Sequence, residues 1–207
     1  CDVAMIYPVE PSVAELKGNE STQTAFQLGT DLYSSGTDFD FMDFESVNRC
    51  EIKNKELNIS GEKYKILILP ALSAVRYSNI EKALGFFRNG GIVVAVGSLP
   101  EISDRIGGND QKLQAMIKEM FGTTYAENHD STKIYTQKSK NGGTGLFISL
   151  ATDVKIEINK LIEPDFKVLS CGTVPGILHR KLGDRDLYLV YGIPKGIPCS
   201  FRGTGKL

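Results

Sequence analysis

The chain has no tryptophan and only two histidines, His129 and His179. A histidine-rich metal centre is therefore excluded, and a mixed Cys–His zinc site would need long-range convergence that no local spacing supports. The four cysteines, Cys1, Cys50, Cys171 and Cys199, lie far apart and form no C-x-x-C pair. Scattered free thiols are expected rather than a disulfide framework. No apolar run approaches the roughly 20 residues that cross a bilayer. Charge of one sign is also lacking, since 24 Lys and Arg stand against 25 Asp and Glu. Neither nucleic acid nor a membrane surface is expected as a partner. Residues 1 to 8 enter a strand-like run directly, so no secretory leader is read here, although a piece of a longer protein could begin after one.

What is present is a strong fold signal. At 207 residues the chain can build one substantial core, enough for one domain and part of another. Lys65-Ile66-Leu67-Ile68-Leu69-Pro70 and Gly91-Ile92-Val93-Val94-Ala95-Val96-Gly97 are nearly unbroken β-branched and aliphatic runs. Such runs are strands covered on both faces. Between them, Ser78-Asn79-Ile80-Glu81 reads as a capping box, Ile80, Leu84 and Phe87 as one apolar stripe, and Asn89-Gly90-Gly91 as a stop. Strand, helix, strand at this spacing predicts a right-handed parallel crossover. The fold class is α/β, with a doubly wound, mostly parallel sheet and additional short strands in the C-terminal part.

The rest of the chain fits that class. Asp2 to Pro8 predicts the first parallel strand, Glu10 to Glu20 a polar loop, and Ser21 to Ser35 a helix carrying Ala25, Leu28 and Leu32 and stopped by Gly36. Asp38 to Asp43 alternates, as a half-covered strand near a sheet edge does, and 44–49 reads as a short helix. Glu51 to Asn58 suggests a small hairpin. Asn109 is placed to cap a helix with the stripe Leu113, Met116, Ile117 and Met120, closed by Gly122. Short strands follow at 133–136, 145–148 and 167–170, with a helix at 152–162. Two alternating runs at 176–181 and 186–191, punctuated by Leu182-Gly183-Asp184-Arg185, predict a hairpin. Residues 1–175 are read as one α/β domain and 176–207 as a closing hairpin leading towards another. Whether 123–175 complete the first sheet or form an inserted subdomain stays open.

Chemistry in parallel sheets sits at the carboxyl ends of the strands. Here those ends read Pro70-Ala71-Leu72-Ser73 and Gly97-Ser98-Leu99-Pro100-Glu101, with no recognisable nucleophile, phosphate loop or metal ligand set. Ser98 invites comparison with a nucleophile elbow, but the G-x-S-x-G spacing and its second glycine are missing, so a turn serine is the better reading. Gly142-Gly143-Thr144-Gly145 precedes a strand instead of following one, and Gly203-Thr204-Gly205-Lys206 breaks the P-loop pattern at Ser200 and Leu207. Both are turns. Asp38 and Asp40 share a strand face and are most simply its solvated side, with Asp43 nearby. Glu10 and Glu101, joined by Tyr7 and Ser98, lie just beyond strand carboxyl ends and form the candidate ligand crevice. Loop packing and solvation are the plain alternative for all four. His179, in a strand beside a hairpin, reads as structural. Cys171 has no histidine near it in sequence, so a Cys–His nucleophile could arise only through the fold. No catalytic residue, metal ligand or cofactor is assigned.

Taken together, Tyr7-Pro8, Phe39-Asp40-Phe41-Met42-Asp43, Tyr64 to Pro70, Gly90 to Pro100 and His179 to Val190 resemble one recurrent domain. It is the class I glutamine-amidotransferase-like (flavodoxin-like) domain found inside large bacterial glycoside hydrolases, most similar to the α-L-rhamnosidase-type multidomain enzymes. Related domains accompany the barrel of some β-galactosidases. The resemblance covers most of 2–105 and again 176–203. It implies a noncatalytic accessory domain of a periplasmic or extracellular polysaccharide-degrading enzyme. The catalytic carboxylates would lie on a separate barrel, and the partners would be that barrel, a following β-sandwich and a second subunit. Amidotransferases of this class carry a cysteine nucleophile with a His–Glu pair; Ala71-Leu72-Ser73 and Ser98-Leu99 stand where such a nucleophile belongs. The rival expectation is a carbohydrate- or small-molecule-binding module using the crevice of Tyr7, Glu10, Ser98 and Glu101.

Overall fold

The computed structural model describes residues 1–9, 18–127, 133–149, 154–169 and 176–203. In chain order the elements begin with β1 (Val3–Ile6), α1 (Gly18–Ser34), β2 (Phe39–Met42) and α2 (Phe44–Arg49). A small three-stranded sheet follows, β3 (Glu51–Lys53), β4 (Glu56–Ile59) and β5 (Glu62–Tyr64), then β6 (Ile66–Pro70) and β7 (Ala74–Val75). Next come α3 (Tyr77–Arg88), β8 (Ile92–Val96), β9 (Ile102–Ser103) and α4 (Gln111–Phe121). The remaining elements are β10 (Ile134–Lys138), β11 (Thr144–Ile148), α5 (Val154–Leu161), β12 (Phe166–Val168), β13 (Gly176–Leu182), β14 (Arg185–Tyr191) and β15 (Cys199–Phe201).

The main sheet runs β10-β11-β8-β6-β1-β2. All neighbours are parallel except β10, which is antiparallel to β11 at one edge. Numbered in chain order by themselves, the five parallel strands lie side by side as 2-1-3-4-5. The two unbroken apolar runs, β6 and β8, are its central pair, covered on both sides as such runs are. Strand alternation divides their side chains. Leu67, Leu69, Val93 and Ala95 join Ile80, Ala83, Phe86, Leu113, Ile117 and Phe121 from α3 and α4. Ile66, Ile68, Val94 and Val96 join Ala25, Leu28 and Leu32 of α1 and Val154 and Ile158 of α5 on the other face. Helices thus cover both faces.

Two glycines are demanded by close approach. A Cβ on Gly145, in β11, would stand 1.7 Å from the Met120 carbonyl, so only glycine lets the end of α4 settle on that strand. Gly36 ends α1 at φ +79°, and a Cβ there would stand 1.9 Å from the Phe166 carbonyl.

Several expectations are corrected. The capping box is absent: α3 already starts at Tyr77, putting Ser78 inside its first turn. The cap comes from a distant residue, since the Tyr77 backbone N–H donates to Asp104 Oδ1 at 2.8 Å. At α4 the cap is Asp110 and not Asn109. Its carboxylate accepts from the N–H groups of Lys112 and Leu113, while Asn109 takes a left-handed φ of 59° to deliver it. Residues 18–20 of the expected loop belong to α1; 10–17 lie outside the described residues. The hairpin at 51–58 gains β5 as a third strand. Strands β10 and β11 complete the main sheet, whereas β12 pairs with β15.

Candidate functional site

At the carboxyl ends of the parallel strands, Tyr7 follows β1 and Ser98 follows β8, with β6 between them. Two strand spacings separate these positions by roughly 10 Å. The Tyr7 N–H donates to the Met42 carbonyl at 2.9 Å and its ring stands edge-on to Phe41, centroids 5.4 Å apart. Ser98 is buried, and among the described residues its hydroxyl reaches only the Leu99 carbonyl, at 3.5 Å. Glu101 is exposed and its N–H donates to the Ser73 carbonyl, which ties its loop to the turn after β6. Glu10 and Cys171 lie outside the described residues. The structure therefore sets Tyr7, Ser98 and Glu101 along one end of the sheet without joining them in a hydrogen-bonded group.

The notable residue at this end is Ala71. It adopts φ +44°, a left-handed conformation that costs a non-glycine residue about 1–3 kcal/mol. It is buried, its N–H donates to the Val96 carbonyl at 2.7 Å, and its carbonyl accepts from the Ser21 hydroxyl at 2.5 Å. A sharp turn after a central strand is how α/β enzymes expose a nucleophile. Here the side chain so presented is a methyl group.

The opposite end of the sheet is chemically crowded. Asp2, Asp38 and Lys65 immediately precede or open the path into β1, β2 and β6, and Asp165, Arg180 and Arg202 reach back to them. Arg202 places Nη1 2.5 Å from Asp2 Oδ2 and Nη2 2.6 Å from Asp165 Oδ1. Lys65 adds a second cation to Asp2 at 3.2 Å. Asp165 also faces His179 Nδ1 at 3.0 Å and accepts the Asp38 backbone N–H at 3.0 Å. His179 Nε2 meets Asp186 at 2.9 Å, and the ring stacks on Tyr188 at 4.2 Å and 4°. Only a doubly protonated imidazole donates to both carboxylates at once. Arg180 reaches Asp38 at 3.1 Å, and the Tyr64 hydroxyl donates to Asp40 at 3.0 Å.

The environment shifts several of these groups. Burial raises Asp38 above the usual carboxylate range, with Arg180 opposing it. Burial and the Asp165 and Asp186 carboxylates push the Tyr188 phenol up to about 12. Burial and Asp40 raise the Tyr64 phenol. For Arg202 burial works downward, but Asp165 and Asp2 outweigh it and raise the guanidinium.

Against this cluster opens a cleft of about 760 Å³, lined by Asp2, Asp40, Lys65, His179, Asp186 and Arg202 among others. Asp2, Lys65, His179, Asp186 and Arg202 in its lining are paired with one another or with Asp165. Asp165, buried behind this lining, accepts from Arg202, His179 and the Asp38 amide, which leaves it little capacity for a substrate. Hydrolysis of a glycoside instead needs two carboxyls free to flank the bond. The arrangement works as a clamp holding β13 and β14 onto the sheet. Among the described residues no group of His, Cys, Asp and Glu is arranged to hold a metal. Cys1, Cys50 and Cys199 are unpaired thiols.

The expectation of Asp38 and Asp40 as a solvated strand face is corrected: Asp38 is buried and ion-paired, and Asp40 is hydrogen-bonded to Tyr64. Sequence reading missed Asp165, Arg180 and Arg202 altogether. Their partners beside the opening strands, Asp2 and Asp38, lie 127 to 200 residues away, and even the nearer pairs of Asp165 with His179 and Arg202 span 14 and 37 residues.

Comparison with known proteins gives one family. A family model described as alpha-L-rhamnosidase matches residues 11–207. Among solved structures, a rhamnosidase from Novosphingobium sp. PP1Y superposes with a TM-score of 0.63 at 18% identity, covering 99% of this chain and 18% of that one. Gan42B, a GH42 β-galactosidase of G. stearothermophilus, gives 0.65 at 16% identity, covering 93% and 34%. A β-galactosidase from Rahnella sp. R3 gives 0.62 at 12%, covering 92% and 35%. At these identities the likeness is one of fold. This chain spans between about a fifth and a third of the length of these relatives. No curated protein matches it.

Proposed function

Because this chain belongs to the alpha-L-rhamnosidase family, we propose that it serves as a noncatalytic domain of a larger polysaccharide-degrading glycoside hydrolase. The observation that carries this reading is Ala71: the strained turn at the end of a central strand offers no reactive atom. The saturated carboxylates at the other end support it. The 2-1-3-4-5 order of parallel strands with helices on both faces supports a flavodoxin-like, amidotransferase-like body without that class's nucleophile. Residues 1–175 form the body in this reading, and 176–207 lead towards a β-sandwich. The barrel that bears catalysis is a separate domain, and the whole enzyme works in the periplasm or outside the cell. The test is to assay the isolated chain on aryl rhamnosides, aryl galactosides and glutamine. No turnover is expected; steady turnover of any of them overturns the proposal.

One observation favours a second reading, sugar binding at the carboxyl ends. Tyr7 and Phe41 leave 40% and 38% of their surface open, side by side, as rings that stack on pyranose faces are left. Calorimetric titration with mono- and oligosaccharides tests it: a saturable heat lost in Tyr7→Ala would favour binding over scaffolding.

A further inference from the structure

The hairpin β13–β14 is fixed by its His179 face, by Arg180 on Asp38 and by the Tyr191 hydroxyl against that of Tyr33, and turns its leucines to solvent. Alternation along the strands puts His179 on the same side as Asp186 and Tyr188, the side locked by Asp165 and the ring stack. Register pairs Leu178 with Leu189, Arg180 with Leu187, and Gly176 with Tyr191. Leu178, Leu182, Leu187, Leu189 and Tyr191 therefore share the opposite face. Their exposures are 37%, 66%, 58%, 60% and 61%. A two-stranded sheet does not stand alone in water, and an apolar row of this length marks an interaction surface. The hairpin cannot bury its leucines by turning over, because that would break the ion pairs of His179 and Arg180.

We propose that this face is one half of a sheet-on-sheet interface, covered by a β-sheet from another domain of the same longer polypeptide. The inference rests on the reading of this chain as part of a larger enzyme. Two observations select the occupant. The matched region makes up 18% to 35% of the solved relatives, so most of each of those chains lies elsewhere. The leucine face is also built on the period of a strand, and aligned sheets pack such faces about 10 Å apart through interdigitating side chains. Arg185 gives this face a basic border, which fits an acidic rim on the opposing sheet.

The experiment is hydroxyl-radical footprinting of the 207-residue chain and of the polypeptide extended as its gene encodes. Leu187, Leu189 and Tyr191 should label readily in the short chain and roughly tenfold more slowly in the extended one, as in the dry core of an interface. Equal labelling in both overturns the inference. So does concentration-dependent dimerisation of the short chain that the double variant L187E/L189E abolishes without any protection in the extended protein, since the occupant would then be a second copy. Because these side chains are exposed, the double variant should leave the short chain folded and lower only the melting temperature of the extended protein. The outcome is separable from the functional reading. Unchanged labelling with an inactive short chain defeats the interface alone, and turnover by the short chain defeats the noncatalytic role whatever the footprint shows.

Discussion

At the carboxyl ends of β6 and β8 the backbone is bent into the kind of turn that enzymes use, and Ala71 fills it with a methyl group. At the amino ends, Asp2, Asp38, Asp165, His179, Arg180 and Arg202 form a dense ionic cluster with a cleft against it. At one end the turn after β6 presents a methyl group; at the other, Asp2, Asp165, His179 and Arg202 are paired with one another. The contrast teaches that charge density is a poor guide to catalysis unless some of the charge is left over for a substrate. It also separates two origins of strain. The turn at Ala71 is held by the surrounding sheet, while the cluster is held by its own attractions.

The comparison breaks most readily at Asp165. Asp165→Ala strands a partly buried guanidinium, an imidazole and a backbone amide, and should cost about 3 kcal/mol in urea unfolding. Limited proteolysis should then cut first within 176–203. If stability is unchanged, the cluster is ornamental and the contrast between the two ends collapses. A second large effect is expected in alkali. Since Tyr188 is raised to about 12 when folded, its neutral form favours the docked hairpin below pH 10 and that contribution is lost as pH climbs towards 12. Absorbance of the tyrosinate together with hairpin proteolysis follows it.

Asp38 sharpens the comparison more finely. Its folded carboxyl titrates above the ordinary value, so the associated stability is full below that value and declines as pH rises through the folded one. In Asp38→Asn that decline should vanish, seen as a flatter pH profile of the unfolding midpoint through the weakly acidic range. At the other end effects should be small. Ala71→Gly relieves the left-handed strain while removing a buried methyl group, and the two should cancel to within about 1 kcal/mol. Glu101→Ala should move the midpoint by less than about 0.5 kcal/mol, as exposed sites away from special features do.

How much of this was legible beforehand follows from sequence distance. The central strands could be read because Ile66 to Leu69 and Val93 to Val96 need no partner to declare themselves; an unbroken apolar run means cover on both sides. Helices α3 and α4 were found by their stripes, yet both caps were misassigned. The Tyr77 amide is held by Asp104, 27 residues on, and the capping carboxylate of α4 sits one residue beyond the asparagine that resembled it. The clamp was invisible for the same reason in stronger form. Nothing near Arg202 in the sequence announces Asp2, and Asp186, though only seven residues from His179, meets its ring only once the hairpin register is set.

The contact between Asp2 and Arg202 spans 200 residues. During synthesis its acidic half emerges 200 residues before its basic half. Closing so long a loop comes late, because the entropy of joining its ends must be met before the contact gives anything back. Until then a nascent chain carries Asp2 and Asp38 without their arginines while the body around β6 and β8 can already condense. The segments that carry His179, Arg180 and Arg202 thus act as a latch on a body already condensed.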